Sequence, residues 1–540
     1  MACLPVSWVA AIHTGRTILF KKTGIIQLLI ASGLALSSSY GYAAEEASAS
    51  SSSLSAEELD QQERIKARKA ELAAEAAAAK KAEVGYWVAP RAYGTTRESE
   101  PPKFVKPINK TWLKDYTDID WLDVGADYRF RYENRENDFR RGTNVTDEPF
   151  LLRSRVYVAV RNKFDPLRFT AEIEDARRNH SHFTRDNRDV DLAEPIQAYA
   201  ELYFKDFLPK DDLGAERPVS IKAGRMAFEQ LDRRLIARNE WRNSTNSFQG
   251  FRATIGQHRN DWELDLLALQ PIVRFTEELN QRDKAQWFYG AIFDWRKWSD
   301  VVTLSPSYFY LKQDGDEVKF NANGLPATAA QRIDREIHTG GLRGYGLIGK
   351  TGFDYDASYY RQWGEEGAND YRAYSYVAEF GYTANHAWKP RFSANYGVAS
   401  GDKGSSTGTN ERFDRLFGFA RPWSSNDYIQ MENVNATKIR AEFSPFTGVN
   451  VDTGYSWYKL DSATDRWAAG NNLRVANGSA GRDLGEEWDI RVRFPVVDKV
   501  SANVGYAYFK GGNFVQDAAA TRNRKDTSNF FYVELTVSAF

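Results

Sequence analysis

Residues 122–132 read LDVGADYRFRY. Leu122, Val124, Ala126, Tyr128, Phe130 and Tyr132 fall on alternate positions, with Asp123, Asp127, Arg129 and Arg131 between them. In extended backbone successive side chains point to opposite faces, so this stretch reads as a strand with one apolar wall and one charged wall. The pattern returns along the chain. Leu152, Val156, Val158 and Val160 alternate with Arg153, Arg155 and Arg161. Leu167, Phe169, Ala171 and Ile173 alternate with Arg168, Thr170, Glu172 and Glu174. Near the end Trp488, Ile490, Val492 and Phe494 oppose Glu487, Asp489, Arg491 and Arg493.

A soluble sandwich also carries charge on one face of each strand. Three features favour a transmembrane barrel instead. Many segments reach the roughly 9–11 residues that a tilted membrane-crossing strand needs. The apolar face is aromatic and β-branched over most of the chain. The connections also alternate: short turns at Asn162–Pro166, Gly256–Asp261, Lys297–Asp300, Phe446–Gly448 and Val496–Lys499, and long loops near 175–194, 228–247, 314–334, 399–434, 461–483 and 511–528. Short turns on the periplasmic side and long loops outside are the habit of outer-membrane barrels. The expected fold class is all-β, a large antiparallel barrel of about 18 strands over residues 118–540, wide enough for an aqueous channel.

Composition agrees. The 540 residues are 42% hydrophobic and 27% charged, yet 14% aromatic, with 32 Phe, 28 Tyr and 15 Trp. Aromatic girdles facing lipid around a polar lumen reconcile the two. The net charge of −1 gives no whole-chain field for nucleic acid, so any ion selectivity must come from local segregation of charge. Cys3 is the one cysteine, which excludes a disulfide scaffold, a Cys-based zinc site and a Cys nucleophile.

The apolar run Gly24–Leu36 follows Arg16, Lys21 and Lys22 and precedes small residues around Tyr42-Ala43-Ala44. This is the order of a secretory signal, expected over 1–43, and the run is short of the roughly 20 residues of a spanning helix. Residues 44–83 are rich in Ala, Ser and Glu, and 55–83, free of Gly and Pro, read as a periplasmic helix. That helix is a solvated spacer or a docking element for a periplasmic scaffold. Residues 84–117, with Pro90, Pro101, Pro102 and Pro107, read as a linker or plug-like lead-in.

The segment Ile221–Ile255 carries Gly224-Arg225, a basic loop, Trp241 and Phe248-Gln249-Gly250. Together with Tyr396–Asp402 (YGVASGD), Phe413-Asp414-Arg415-Leu416-Phe417 and Gly481–Ile490 (GRDLGEEWDI), it resembles the alginate export porin family over roughly residues 118–540. The resemblance implies an 18-stranded monomeric outer-membrane barrel that passes an anionic uronate polysaccharide outward through an arginine-rich lumen. One departure is plain. The next-to-last strand, Val500–Lys510, lacks the inward arginines that the family implies.

By alternation the inward arginines are Arg129, Arg131, Arg153, Arg155, Arg225, Arg252, Arg440, Arg491 and Arg493. Guanidinium groups stay charged at any relevant pH and present a planar fork to carboxylates. Turned outward they would cost about 2–4 kcal/mol each near the bilayer midplane. They line an anion path, or they pair with Asp127, Glu172, Glu174, Glu442, Glu487 and Asp489 and brace the wall. His180 and His182 form His-x-His beside Asp186 and Asp189, without a third spaced ligand. No metal site, cofactor or catalytic constellation is expected. Export of an alginate-like polymer, uptake of small anions, an outer-membrane enzyme and a structural barrel all fit the scaffold, and export is the preferred reading.

Overall fold

A computed structural model describes residues 85–320, 325–328, 331–404, 408–518 and 524–540. The expected signal and the helix expected over 55–83 lie outside the described residues. Eighteen long strands make the wall: β1 Leu122–Glu136, β2 Phe150–Val160, β3 Leu167–Asn179, β4 Asp191–Leu208, β5 Arg217–Met226, β6 Phe248–Gly256, β7 Trp262–Val273, β8 Gln286–Trp295 and β9 Thr303–Gln313. They continue as β10 Arg335–Leu347, β11 Phe353–Glu366, β12 Asn369–Thr383, β13 Arg391–Ala399, β14 Val434–Phe446, β15 Val449–Lys459, β16 Asp483–Val497, β17 Val500–Gly511 and β18 Thr527–Ser538. Each pairs antiparallel with the next, as in β1 with β2 and β17 with β18. The last strand returns to the first, from Asp127 opposite Ser538 to Glu136 opposite Asn529, so the sheet closes and leaves no edge.

The period of two sets the two faces. Tyr128, Val156, Val158, Phe169, Ile173 and Trp488 are exposed on the outer wall, whereas Asp127, Arg129, Arg155, Glu172, Glu174 and Asp489 are buried inside. Exposed Trp295, Trp298, Phe353 and Trp388 mark the short-turn end, and Trp363 and Trp457 the long-loop end. Such aromatic girdles sit at the two membrane interfaces. Among the described residues no helix is long and apolar enough to cross a membrane. The alternation of short and long connections holds with one exception: β11 and β12 meet at the long-loop end through only residues 367–368. The last strand stops at Ser538, and the Phe540 ring lies beyond it, stacked on Trp112 at 6.4 Å.

The interior differs from a uniformly polar, water-filled lumen. From β6 to β12 the inward face carries Phe248, Leu269, Phe288, Phe309, Ile337 and Tyr360, all fully or almost fully buried. Two long connections fold inward onto this apolar half, residues 227–247 and, among the described residues, 408–433. Phe417 meets Phe248 at 5.0 Å and Phe288 at 5.1 Å, edge to face. Burying such a side chain stabilises by about 1.5–3 kcal/mol, which is why these loops lie in the barrel. The loops then join one another: Phe417 N–H donates to Leu235 O at 2.9 Å and Phe419 N–H to Arg233 O at 2.9 Å. The rest of the wall, β1–β4 with β14–β18, carries much of the charge, and Arg252 with Asp265 and Arg343 with Asp356 add buried ion pairs between β6 and β11.

Residues 85–117, expected as a linker or a plug-like lead-in, run through the barrel. From Gly85 the chain enters the barrel interior. Tyr86 N–H donates to Arg259 O at 3.0 Å, at a short turn. Tyr93 then lies against the inward side of β14, and the chain leaves through Val105–Pro107, a short strand that pairs with Asp123–Gly125 of β1.

Candidate functional site

The charged inward positions of the wall are closely self-compensated. Arg155 donates to Asp127 through Nε and Nη2, both at 3.0 Å, as a bidentate pair across β1 and β2. Arg153 and Arg155 also reach Glu174 and Glu172 at 3.9 Å. Arg129 and Arg131 lie 3.7 and 3.2 Å from Glu534, and Arg131 is 2.9 Å from Glu133. Arg440 joins Asp489 at 3.0 Å and Asp452 at 2.6 Å. Arg491 and Arg493 reach the same Asp452 at 2.9 and 3.5 Å. Arg252 pairs with Asp265 at 3.0 Å and with Glu100 at 2.9 Å. Arg225, opposite Ala198 at the long-loop end of β5, is tied to Glu194 and to the carbonyls of Pro195 and Asn280. All nine sequence-predicted arginines therefore stand beside a carboxylate. Of the carboxylates named with them, Glu442 instead accepts from Arg391 at 2.9 Å. Glu487 accepts from Ser424 Oγ at 2.6 Å and Ser425 N–H at 2.7 Å, which anchors the inward loop.

Glu240 is the hinge between wall and loop. It sits on the inward loop 227–247, 3.2 Å from Arg153 and 3.0 Å from both Arg155 and Arg238. Burial alone would raise its carboxyl, but Arg155, Arg153 and Arg238 hold it well below the usual carboxylate range. The same loop caps other wall cations through backbone: Arg129 donates to Glu240 O and Arg242 O at 2.7 Å each, and Arg131 to Trp241 O at 2.6 Å. Thr245 N–H and Oγ1 donate to Glu174 at 2.9 and 2.7 Å.

The loops also bring cations that alternation does not reveal. Among the described residues Arg242, Arg274 and Arg415 have no carboxylate within ion-pair distance, and Arg274 has only the Ser244 oxygens, at 3.2 and 3.4 Å. Arg188 lies near them and reaches Asp186 at 3.5 Å. Burial pushes the Arg242 guanidinium down to about 9, and Arg188, Arg274 and Arg415 push it the same way. It stays charged at neutral pH, but its charge is poorly compensated, and a bound anion would relieve it. Beside it lies a cavity of about 210 Å³ toward the long-loop end. Six arginines line it (Arg131, Arg135, Arg140, Arg141, Arg188 and Arg242) with three carboxylates, Glu133, Asp189 and Asp427. Arg131, Arg140 and Arg141 have further partners just behind the lining in Glu534, Asp138 and Asp186, at 3.2, 2.7 and 2.9 Å. Trp241 forms part of its floor, under the Arg131 guanidinium at 4.0 Å. His180 takes no part: its ring packs edge-on against Phe150 at 5.4 Å.

A closed barrel with aromatic ends and a charged lumen narrowed by its own loops is an outer-membrane channel. The chain belongs to the alginate export family, whose pattern matches residues 120–528. Among solved structures it is similar to OccAB2 of Acinetobacter baumannii, at 13% identity over 77% of this chain and 97% of that one, with a TM-score of 0.50. OccK3 (OpdO) of Pseudomonas aeruginosa matches at 14% identity over 77% of this chain and 95% of that one, with a TM-score of 0.49. At these identities the likeness speaks for the fold alone. A search of curated proteins found no match.

Proposed function

We propose that this channel passes an alginate-like anionic polysaccharide outward across the outer membrane. The observation that carries the reading is the group Arg188, Arg242, Arg274 and Arg415 on the long connections, where Arg242, Arg274 and Arg415 have no carboxylate within ion-pair distance among the described residues, beside a cavity lined by six arginines. Membership of the alginate export family supports the choice of cargo and direction. The wall arginines are already neutralised, so they define the shape and field of the path. The loop arginines supply the attraction. Guanidinium forks match uronate carboxylates, and several weak contacts in series let a polymer enter without holding it.

Planar-bilayer recordings test this with a polyuronate and a neutral dextran of equal length added on the short-turn side. The polyuronate should shorten open times at concentrations where dextran does nothing, increasingly with chain length and less at high salt, where screening shortens the reach of the charges. Equal effects of both polymers would overturn the anionic cargo. Interruption by small monocarboxylates as effective as by the polymer would favour the uptake of small anions.

A further inference from the structure

The wall cations so far described find their carboxylates on the wall or on the inward loops. Two also, or only, reach one elsewhere. Lys222 of β5 and Arg252 of β6 are register partners on adjacent strands, both turned inward. Glu100, on the lead-in segment, receives Lys222 Nζ at 3.1 Å and Arg252 Nη1 at 2.9 and 3.0 Å through its two oxygens. Among the described residues Glu100 is the one carboxylate paired with Lys222, since Glu201, the other register partner, accepts from Ser220 instead. Arg252 has a wall partner in Asp265, but its Nη1 points to Glu100 alone. Such a two-cation clamp is a carboxylate receptor in form.

The segment that delivers Glu100 is held mostly by polar contacts. Arg440 stacks on the Tyr93 ring at 3.6 Å, the Tyr93 N–H donates to Glu379 at 3.3 Å, and the Glu98 N–H donates to Glu229 at 2.8 Å. Tyr93 meets β14 and Glu100 meets β5 and β6, so the segment crosses the lumen beneath the inward loops. Glu100 keeps 38% of its side chain exposed, and neighbouring Ser99 is exposed too. This is the profile of a contact that can be exchanged: charge-assisted and open to water at Glu100, although Arg252 also rests on the Phe228 ring at 4.7 Å.

We propose that Lys222 and Arg252 form a carboxylate-binding site on the cargo path, and that the segment around residues 93–100 closes the path by filling this site with Glu100. The segment is then a cis mimic of the cargo, which an arriving polyanion displaces. Burial would raise the Glu100 carboxyl, yet Arg252 and Lys222 hold it well below the usual range, so the pair is fully ionised at neutral pH. The inference rests on the reading of the channel as an anion path.

Full-length protein in planar bilayers tests it. Glu100→Gln removes the carboxylate, and Lys222→Gln removes one side of its clamp. Loss of a charge-assisted bond should raise the open-to-closed ratio about tenfold or more in either variant. With Ser99→Cys in the otherwise unaltered protein, an oligouronate should speed thiol labelling and a neutral oligosaccharide should not. Unchanged opening in the assembled variants, or labelling indifferent to the oligouronate, overturns the closure even if the pore prefers anions. Increased opening in a pore that prefers cations keeps the closure and overturns the anionic cargo.

Discussion

The wall and the inward loops treat the same residue in opposite ways. On the wall the nine predicted inward arginines stand beside carboxylates, as Arg155 does by Asp127 and Arg440 by Asp489. On the long connections Arg242, Arg274 and Arg415 crowd together with no such partner among the described residues. A buried charge without compensation is costly, so a protein places it where a ligand completes it or where strict order matters less. The fully paired wall arginines thus belong to stability and the loop arginines to transport, with Arg252, whose fork is shared with the lead-in segment, between the two.

Unpairing the wall should give the largest effect. Asp452 serves Arg440, Arg491 and Arg493 at once, and its side chain is 1% exposed. Asp452→Asn should destabilise the barrel by about 3–5 kcal/mol, the cost of stranding buried cations. Urea unfolding in detergent micelles measures it, and a loss under 1 kcal/mol would erase the distinction. The hinge between the regions comes next. Because the Glu240 carboxyl is held low, its ion pairs contribute stability above the ordinary carboxylate range and lose it only as pH falls through the lowered value. Conductance and its noise should therefore hold steady down to about pH 4, near the unperturbed carboxylate value. A collapse already at about pH 5 would show that Glu240 is not so held. In the loops the sign reverses. Arg242→Gln combined with Arg415→Gln relieves like-charge crowding and should leave stability unchanged or raise it by up to about 1 kcal/mol, the scale of weakly screened pairs. The smallest effect belongs to Arg493, 49% exposed at the margin of the Asp452 cluster. Arg493→Gln should stay within about 0.5 kcal/mol of the parent.

The wall was legible because a strand writes itself at period two. The stretch at 122–132 extends to Glu136 as β1, and the turns at 162–166 and 446–448 fall between strands as the sequence suggests. Ion-pair partners were legible only in part. Asp127 with Arg155 follows from two adjacent strands, but Arg391 with Glu442 depends on a register that alternation leaves open. The filling of the lumen was not legible. Loops have no period, and the apolar inward residues Phe288, Phe309 and Ile337 reveal their purpose only once Phe417 is seen against that wall. A signal existed: inward positions that are apolar on a strand of a supposed water-filled pore require something to cover them. Arg242 and Arg415 lie in aperiodic sequence, so nothing local separates them from solvated surface charge. The proline-rich lead-in read as a linker or a plug-like segment, and its contacts within the barrel, Tyr93 with Arg440 and Glu100 with Lys222 and Arg252, were not legible.

The central claim is that the loop arginines, not the wall arginines, set ion preference. The reversal potential across a planar bilayer under a salt gradient tests it most directly, comparing the unaltered channel with Arg242→Gln combined with Arg415→Gln at low salt, where screening is weak. The account predicts anion preference in the parent and a shift of the reversal potential toward cations in the double variant, with assembly unimpaired. An unchanged reversal potential in the assembled double variant would contradict it.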